Sequence, residues 1–342
     1  MKDYSMITPE ALTEEARKIA KHSDRAPFIA LGQLTLLGIP FLLLFMGVLS
    51  PIPFVVAFAI ALILVGVTAI LEHDRQEEYD ERQKELVVVF KSLVVNHAAQ
   101  ELFRHYSYDM EKGIAEDEVP LNEVLPYSYF GRSTDLLTGF YRGVEFRRAD
   151  LEASAASTHV NFYSTNRVFL GQYIDFPCPV KFSSTLYIYT KDMLDDIERK
   201  TFLYSGNTRG EMYYKTGDEA FDKKFRCLTT DQTEAETLLT PEYVRSIVKL
   251  SNLIKDWFVI GFKDGRIFLL IDTGTDHLEP PQYLGYIVKM DMDYEMERAV
   301  KTLQTVCYAI DRLARPSEEK TPPETNVIDE LESYWKEGTP TV

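Results

Sequence analysis

The residues that could carry out chemistry are the histidines, the cysteines and several groups of acids. The six histidines are scattered along the chain: His22, His73, His97, His105, His159 and His277. His97 and His105 lie eight residues apart on a predicted helix. That spacing is about two helical turns, which is too long for the i and i+4 ligands of a metal site. We interpret both as polar residues at a contact between the helix and a domain.

The acids and cysteines are also better explained without catalysis. One acidic group alternates near a predicted helix start: Asp291, Asp293, Glu295 and Glu297. Alternating acids can bind calcium, but no glycine provides the sharp turn of an EF-hand loop. Acids at a helix start instead complement the helix dipole, and Asp192, Asp195 and Asp196 have the same interpretation. Three cysteines, Cys178, Cys227 and Cys307, are odd in number and far apart, which favours a reducing compartment.

No familiar enzyme motif is present in the chain. There is no GxSxG, no GxxxxGK[ST], no GxGxxG and no HExxH. We therefore predict no catalytic residue, no cofactor-binding residue, no metal ligand and no cofactor. The hypothesis that the protein is not an enzyme is favoured, and an enzyme with unrecognised carboxylate chemistry is kept as the alternative.

The composition excludes several classes of protein. The chain has 342 residues, with 37 Lys and Arg against 53 Asp and Glu, and a formal charge of −16. An acidic balance argues against a protein that binds nucleic acid by neutralising phosphates. With 45% hydrophobic residues, the chain as a whole is not predicted to be disordered.

The element that dominates the sequence is an apolar segment near the N-terminus. No charged residue and no histidine lies between residues 26 and 71. The sequence Ser50-Pro51-Ile52-Pro53 interrupts this run, because proline removes a backbone donor and restricts the residue before it. We predict two transmembrane helices, Pro27–Leu49 and Phe54–Leu71, that contact the lipid bilayer. A pair of buried helices in a soluble core is less favoured, because the run has no polar stripe.

The flanking charges predict the orientation of this helical hairpin. Four basic residues precede the first helix: Arg17, Lys18, Lys21 and Arg25. Arg75 follows the second helix, and the connecting turn is uncharged. By the positive-inside rule, both termini should lie in the cytoplasm.

The remaining chain is predicted to be a β-rich cytoplasmic domain of the α+β class with covering helices. Residues 127–190 contain short alternating runs typical of strands, and Lys263-Asp264-Gly265 predicts a tight hairpin between Trp257–Phe262 and Arg266–Ile271. Helices are expected at 191–200, 241–255 and 294–314, and the last two should cover the sheet.

The domain organisation that follows has five parts. They are a cytoplasmic N-terminal segment (1–25), the transmembrane hairpin (26–71), a stalk helix (72–110), the β-rich domain (111–315) and an acidic disordered tail (316–342). The alternative is two small β domains separated near residue 205.

Two stretches resemble a known family, the bacterial proteins of domain-of-unknown-function family 3137. The first stretch runs from Phe130 to Phe146 and resembles an early aromatic and glycine-containing strand region. The second runs from Asp218 to Ala235, followed by Leu238-Leu239-Thr240-Pro241, and departs from the family at Glu236-Thr237 and Cys227. The resemblance implies a bacterial inner-membrane protein with two N-terminal helices and a cytoplasmic domain. It implies no activity.

These observations lead to a membrane-anchored binding or scaffolding module with an unidentified protein partner. A lipid-contacting protein that organises the membrane is a further alternative, although an acidic domain is repelled by an anionic leaflet. The oligomeric state stays open.

Overall fold

The computed structural model of the chain describes residues 11–14, 17, 26–47, 50–126, 128–156, 165–195, 211–276, 278–280 and 291–314. The predicted tail (316–342), most of the N-terminal segment and the proposed boundary near residue 205 lie outside the described residues. So does the second half of the helix expected at 191–200, of which residues 191–195 are helical.

Two helices form from the apolar segment, and the second is very long. Helix α1 is Ala26–Phe45, and helix α2 is Pro51–Leu102. Pro51 stands in the first turn of α2, where its missing N–H costs nothing. Among the described residues, α2 is the one helix long and apolar enough to cross a membrane, and only 6% of its most apolar segment is buried. The apolar stretch Leu31–Phe45 of α1 is shorter.

Helix α1 contacts the apolar part of α2. The Gln33 amide donates a hydrogen bond to the Thr68 hydroxyl at 3.0 Å, and the Phe41 ring lies 5.1 Å from the Phe54 ring. After Leu71, α2 becomes charged and mostly exposed, with the ion pairs Glu72–Arg75 and Glu78–Arg82 on its surface. We call residues 72–85 the strut.

The far end of α2 is buried, as its apolar spacing predicts. Leu86, Val89, Phe90 and Val94 are all in the core. The helix ends at Leu102, however, and not near residue 110 as predicted. His105 begins a strand, so the predicted placement of His97 and His105 on one helix was wrong.

Within the described part of the chain, a single antiparallel sheet of nine strands confirms the predicted α+β class. The strands are β1 (His105–Asp109), β2 (Ser128–Tyr141), β3 (Val144–Ala156), β4 (Thr165–Pro177), β5 (Leu186–Thr190), β6 (Met212–Tyr214), β7 (Phe225–Thr229), β8 (Trp257–Lys263) and β9 (Arg266–Asp272). Their order in the sheet is β1-β2-β3-β4-β9-β8-β5-β7-β6. Strands from both sides of residue 205 therefore share one sheet.

The remaining helices are short apart from the last two. They are α3 (Leu121–Val124), α4 (Glu219–Lys224), α5 (Gln232–Leu238), α6 (Pro241–Leu253) and α7 (Met292–Ala309), which continues as a π-helical turn over Ile310–Ala314. Helices α2, α4, α5, α6 and α7 bury their apolar residues on one face of the sheet. The segment 114–125 and residues 193–194 cover the other face.

Local sequence signals at helix starts and turns are confirmed. The Asp231 carboxylate accepts hydrogen bonds from the backbone N–H groups of Thr233 and Glu234, so it caps α5. Thr240 caps α6 by accepting from the Tyr243 N–H. Asp264 and Gly265 both have positive φ, as a type I′ turn between β8 and β9 requires.

The turn between β2 and β3 uses the same geometry, and it allows a first prediction. Arg142 has φ +49° and Gly143 has φ +81°. A side chain at position 143 would meet no atom within 4 Å, so any cost comes from the backbone alone. We expect Gly143→Ala to lower the free energy of unfolding by about 1–2 kcal/mol. Chemical denaturation of both proteins would test this, and an unchanged midpoint would contradict it.

Candidate functional site

The buried end of α2 carries a lysine that the sheet surrounds with carboxylates. Lys91 is only 4% exposed, and it lies among the apolar residues that pack α2 on the sheet. Its ammonium donates to Asp135 Oδ2 at 2.8 Å and pairs with Glu279 Oε1 at 2.5 Å. A buried charge is tolerated only when it is paired and hydrogen-bonded. Lys91 is therefore fixed by both β2 and the segment after β9.

Asp135 reaches Lys91 because the backbone of β2 is irregular at that point. One extra residue of β2 stands between the pairs Thr134↔Asp150 and Leu137↔Arg148, which is a β-bulge. Asp135 has φ +59° and is fully buried. Asp135 Oδ1 also accepts a hydrogen bond from the Tyr108 hydroxyl at 2.5 Å. Burial, followed by the negative charge of Asp135, raises the pKa of Tyr108, so this tyrosine stays a donor.

A second ion pair lies beside the first on the same face of the sheet. Arg148 is fully buried, and its two terminal nitrogens donate to the Asp150 carboxylate at 2.8 Å and 2.6 Å. Arg148 Nε also donates to Gln172 Oε1, which in turn accepts from Thr305 of α7 at 3.2 Å. The cluster therefore connects α2, four strands and α7. We call Lys91, Tyr108, Asp135, Arg148, Asp150, Gln172, Asp276, Glu279 and Thr305 the ionic cluster.

The ionic cluster contains more acids than bases. Four carboxylates (Asp135, Asp150, Asp276 and Glu279) face two cations, Lys91 and Arg148. Burial raises the pKa of Asp150 to about 7, and repulsion from Asp276 and Asp135 adds to this effect although Arg148 opposes it. The excess of negative charge therefore favours retention of a proton on Asp150.

The raised pKa of Asp150 makes stability depend on pH. Because the pKa of Asp150 is higher in the folded protein than in the unfolded chain, the proton on Asp150 stabilises the fold. This contribution to stability is fully present below about pH 4. That stability is lost as the pH rises through about 7. We expect the wild type to lose stability relative to Asp150→Asn between these values, by up to about 1.4 kcal/mol per pH unit. Urea unfolding of both proteins from pH 4 to pH 8 measures the difference, and a pH-independent difference would contradict it.

Three carboxylates of the cluster satisfy the geometry of a metal site. Oxygen atoms of Asp135, Asp276 and Glu279 lie within 4.8 Å of one another. The Lys91 ammonium, however, contacts Asp135 and Glu279 directly, so it provides the positive charge that a metal ion would bring. The arrangement fits an internal ion pair better than a metal ion.

A further ionic group lies on the opposite face of the sheet. Asp175 is buried and accepts from Arg147 at 3.0 and 2.7 Å and from Arg266 at 2.8 Å. Arg147 also pairs with Glu118. This group fixes the covering segment to β3, β4 and β9, and its outer members are partly exposed to solvent.

Those residues considered from the sequence that the structure describes are not brought together in one site. His73 and His97 pair with Glu77 and Glu101 on the same helix, at 3.5 Å and 3.8 Å, while His22, His159 and His277 lie outside the described residues. Asp291 caps α7, and Glu295 forms an ion pair with Arg298. Among the cysteines, Cys178 is half-buried, and Cys227 and Cys307 are buried.

The ionic cluster was missed by sequence reasoning, although it left one signal. Lys91 interrupts the apolar run Val87-Val88-Val89-Phe90 and Ser92-Leu93-Val94-Val95 at a position in phase with the buried face. A charged residue on the apolar face of a helix indicates a buried partner of opposite charge. The identity of that partner could not be predicted, because Asp135 lies 44 residues away along the chain.

The comparisons with known proteins find a match to a family model over part of the chain and no activity. The family described as "Protein of unknown function (DUF3137)" matches residues 167–315, which supports the resemblance inferred from the sequence. No curated protein matches the chain. Among solved structures, the chain is similar to the crystal structure of the mycobacterial trehalose monomycolate transport factor A, TtfA, with 11% identity and a TM-score of 0.30. The match covers 67% of this chain and 98% of that one.

Proposed function

We propose that this protein is a membrane-anchored module that holds a β-sheet domain at a fixed height above the cytoplasmic face of a bacterial inner membrane and presents it to a protein partner. The observation that carries the proposal is the continuity of α2. One helix includes the exposed apolar segment, the strut and the buried Lys91, so a single rigid element joins the bilayer to the sheet.

The proposed topology has two membrane spans, α1 and residues 54–71 of α2. Gln33 contacts Thr68 and Phe41 contacts Phe54, so the two helices run in opposite directions. Leu12, which precedes α1, is 2% exposed and belongs to the same buried cluster as Leu86 and Phe90. A residue before the first span and residues after the second thus share one core, which supports placing both on the same side of the membrane.

The strut and the ionic cluster make the connection between the membrane and the sheet rigid. Residues 72–85 would separate the bilayer from the domain by about 20 Å at 1.5 Å per residue. Lys91 then ties the helix to β2 and to the segment after β9 through buried ion pairs. A rigid spacer of this kind suits a protein that positions a binding surface.

The topology can be tested with a membrane-impermeant thiol reagent on intact cells. We expect a cysteine replacing Ile52 to react, because it lies at the start of α2 outside the proposed membrane span, and a cysteine replacing Phe140 to react only after lysis. Both native side chains are exposed. Native Cys227 cannot serve as the internal reporter, because it is buried and burial raises its pKa to about 12. Labelling at position 140 in intact cells would overturn the proposed orientation.

The proposed partner can be tested by affinity capture of the full chain from a mild detergent. A chain that ends after residue 71 is the matched control, because it keeps the apolar segment and lacks the sheet. A protein recovered reproducibly with the full chain and not with the control would support the proposal. Recovery of the same proteins with both chains would contradict it.

The enzyme alternative has less support. The carboxylates that it would use are paired with Lys91, Tyr108 and Arg148 inside the domain.

A further inference from the structure

The direction of the sheet relative to α2 follows from two contacts. Lys91 meets Asp135, and the Phe103 ring lies 6.4 Å from the Tyr141 ring. Lys91 and Phe103 are about 18 Å apart along a helix, and Asp135 and Tyr141 are about 20 Å apart along a strand. Strand β2 therefore runs in the same direction as α2. Strand β3 runs back toward the apolar part of α2, since it pairs with β2 in antiparallel register.

The ends of several strands consequently extend along the strut. The ends of β2, β3 and β4 beyond the ionic cluster include residues 128–132, 152–156 and 165–167. We call them the proximal rim. The opposite ends of β2 and β3, at Tyr141 and Val144, point away from the apolar segment.

The length of this extension matches the length of the strut. From Lys91 back to Leu71, α2 covers about 30 Å. A headgroup layer about 6 Å thick would bring the membrane surface to about 24 Å from Lys91. From Asp150 to Ala156, β3 covers about 20 Å in the same direction. The proximal rim thus ends within roughly one residue length of the surface where the headgroups would begin.

The composition of the rim differs from that of the strut. The strut has seven acids and three bases, whereas the rim has Arg132 and Arg167 against Glu152. Tyr129 is 61% exposed, and both arginines are exposed, with Arg132 paired to Glu152 at 3.2 Å. Tyrosine is enriched at membrane interfaces, and arginine binds phosphate by bidentate hydrogen bonds. The proximal rim is therefore locally basic and carries an exposed tyrosine in an otherwise acidic protein. Such a composition suits contact with a surface rich in phosphate groups.

We propose that the proximal rim contacts the phospholipid headgroup layer, so that the sheet rests on the membrane at a second point beside α2. The inference rests on the proposed function, because it requires α2 to enter the bilayer. Two points of contact fix the tilt of α2 and the sheet relative to the membrane plane, which a single helical strut leaves open. The partner-binding surface would then be presented in one orientation.

The test uses spin labels on the full chain in vesicles of phosphatidylcholine and phosphatidylglycerol that contain a nickel-chelating headgroup lipid. Tyr129→Cys and Phe140→Cys form a matched pair, because both replace exposed aromatic residues of β2 that lie about 36 Å apart. Arg132→Cys provides a second rim position, and His73→Cys on the strut reports membrane insertion of α2. All variants carry Cys178→Ser, since Cys178 is only half-buried.

We expect nickel to increase the relaxation rate several-fold more at positions 129 and 73 than at position 140, and the rate at position 132, about 10 Å farther from the surface than position 129, to lie in between. Equal rates at 129, 132 and 140, together with a high rate at 73, would overturn the contact between the rim and the headgroups and leave the proposed function standing. A low rate at position 73 would overturn the proposed membrane insertion itself. A partner protein that covered the rim would also appear as equal, low rates at 129, 132 and 140.

Discussion

Replacing Lys91 with methionine should lower the free energy of unfolding by about 3–5 kcal/mol. Methionine keeps most of the volume and the apolar stem, so the loss comes from the charge. Asp135 and Glu279 would lose the cation that they share, and Asp135 is fully buried. An uncompensated buried carboxylate is far more destabilising than a missing surface ion pair.

The measurement is urea unfolding of the full chain in detergent, followed by tryptophan fluorescence, to which Trp257 in β8 and Trp335 both contribute. Lys84→Met is the matched control, because Lys84 lies two turns earlier on the same helix and is exposed. We expect the control to change stability by less than about 0.5 kcal/mol. If the two variants had the same stability, the ion pairs of Lys91 would not be what attaches α2 to the sheet. A partial recovery in Lys91→Met combined with Asp135→Asn would support the assignment.

The contacts of Lys91 explain how a helix of this length keeps one register against the sheet. Apolar contacts from Leu86 to Phe103 attach α2 to the sheet, but such contacts tolerate sliding by a turn because their spacing repeats. A buried ion pair does not tolerate that shift. If Lys91 moved by one turn, Asp135 and Glu279 would lose their partner. The ionic cluster therefore fixes the register between the strut and the sheet, and in the proposed topology it would also set the height of the domain above the bilayer.

Local features of the fold could be predicted from sequence because neighbouring residues determine them. The Asp264-Gly265 turn, the Asp231 cap and the Thr240-Pro241 helix start depend on contacts within three or four residues. The burial of the far end of α2 was predictable for the same reason, from apolar residues at helical spacing.

The sheet order and the ionic cluster depend instead on contacts between distant residues. Strand β5 pairs with β7 and β8, and β4 pairs with β9, across long separations that no single segment encodes. Strand β1 was predicted as helix because His105-Tyr106-Ser107-Tyr108 follows a helical pattern without a glycine or proline between them. Asp135 was not predicted to be buried because its position depends on a bulge and a positive φ.

Replacing Arg148 with methionine should be as damaging as the loss of Lys91, about 3–5 kcal/mol at pH 8. The reason is that the Asp150 carboxylate would lose both of the hydrogen bonds that compensate its burial. The cost should depend on pH, because removal of the neighbouring cation raises the pKa of Asp150 above its value of about 7. Above pH 7 the variant would continue to lose stability while the wild type would not, so the difference between them should widen. Near pH 5, where both proteins hold the proton, it should be smaller.

The double variant Arg148→Met with Asp150→Leu separates two contributions to the free energy of unfolding. One is the net stabilisation by the ion pair, and the other is the destabilisation by an unpaired buried charge. Apolar side chains of similar volume leave no buried charge, and such replacements of buried ion pairs are often neutral or stabilising. We expect the double variant to be more stable than Arg148→Met alone and to lose the pH dependence above pH 7. Unfolding curves of the three proteins at pH 5 and pH 8 measure both effects.

If the double variant were as unstable as the single one at both pH values, packing around the Arg148 stem, and not the charge of Asp150, would account for the loss. If instead stability returned but the domain no longer held one orientation relative to α2, the ion pair would serve to specify the structure more than to stabilise it.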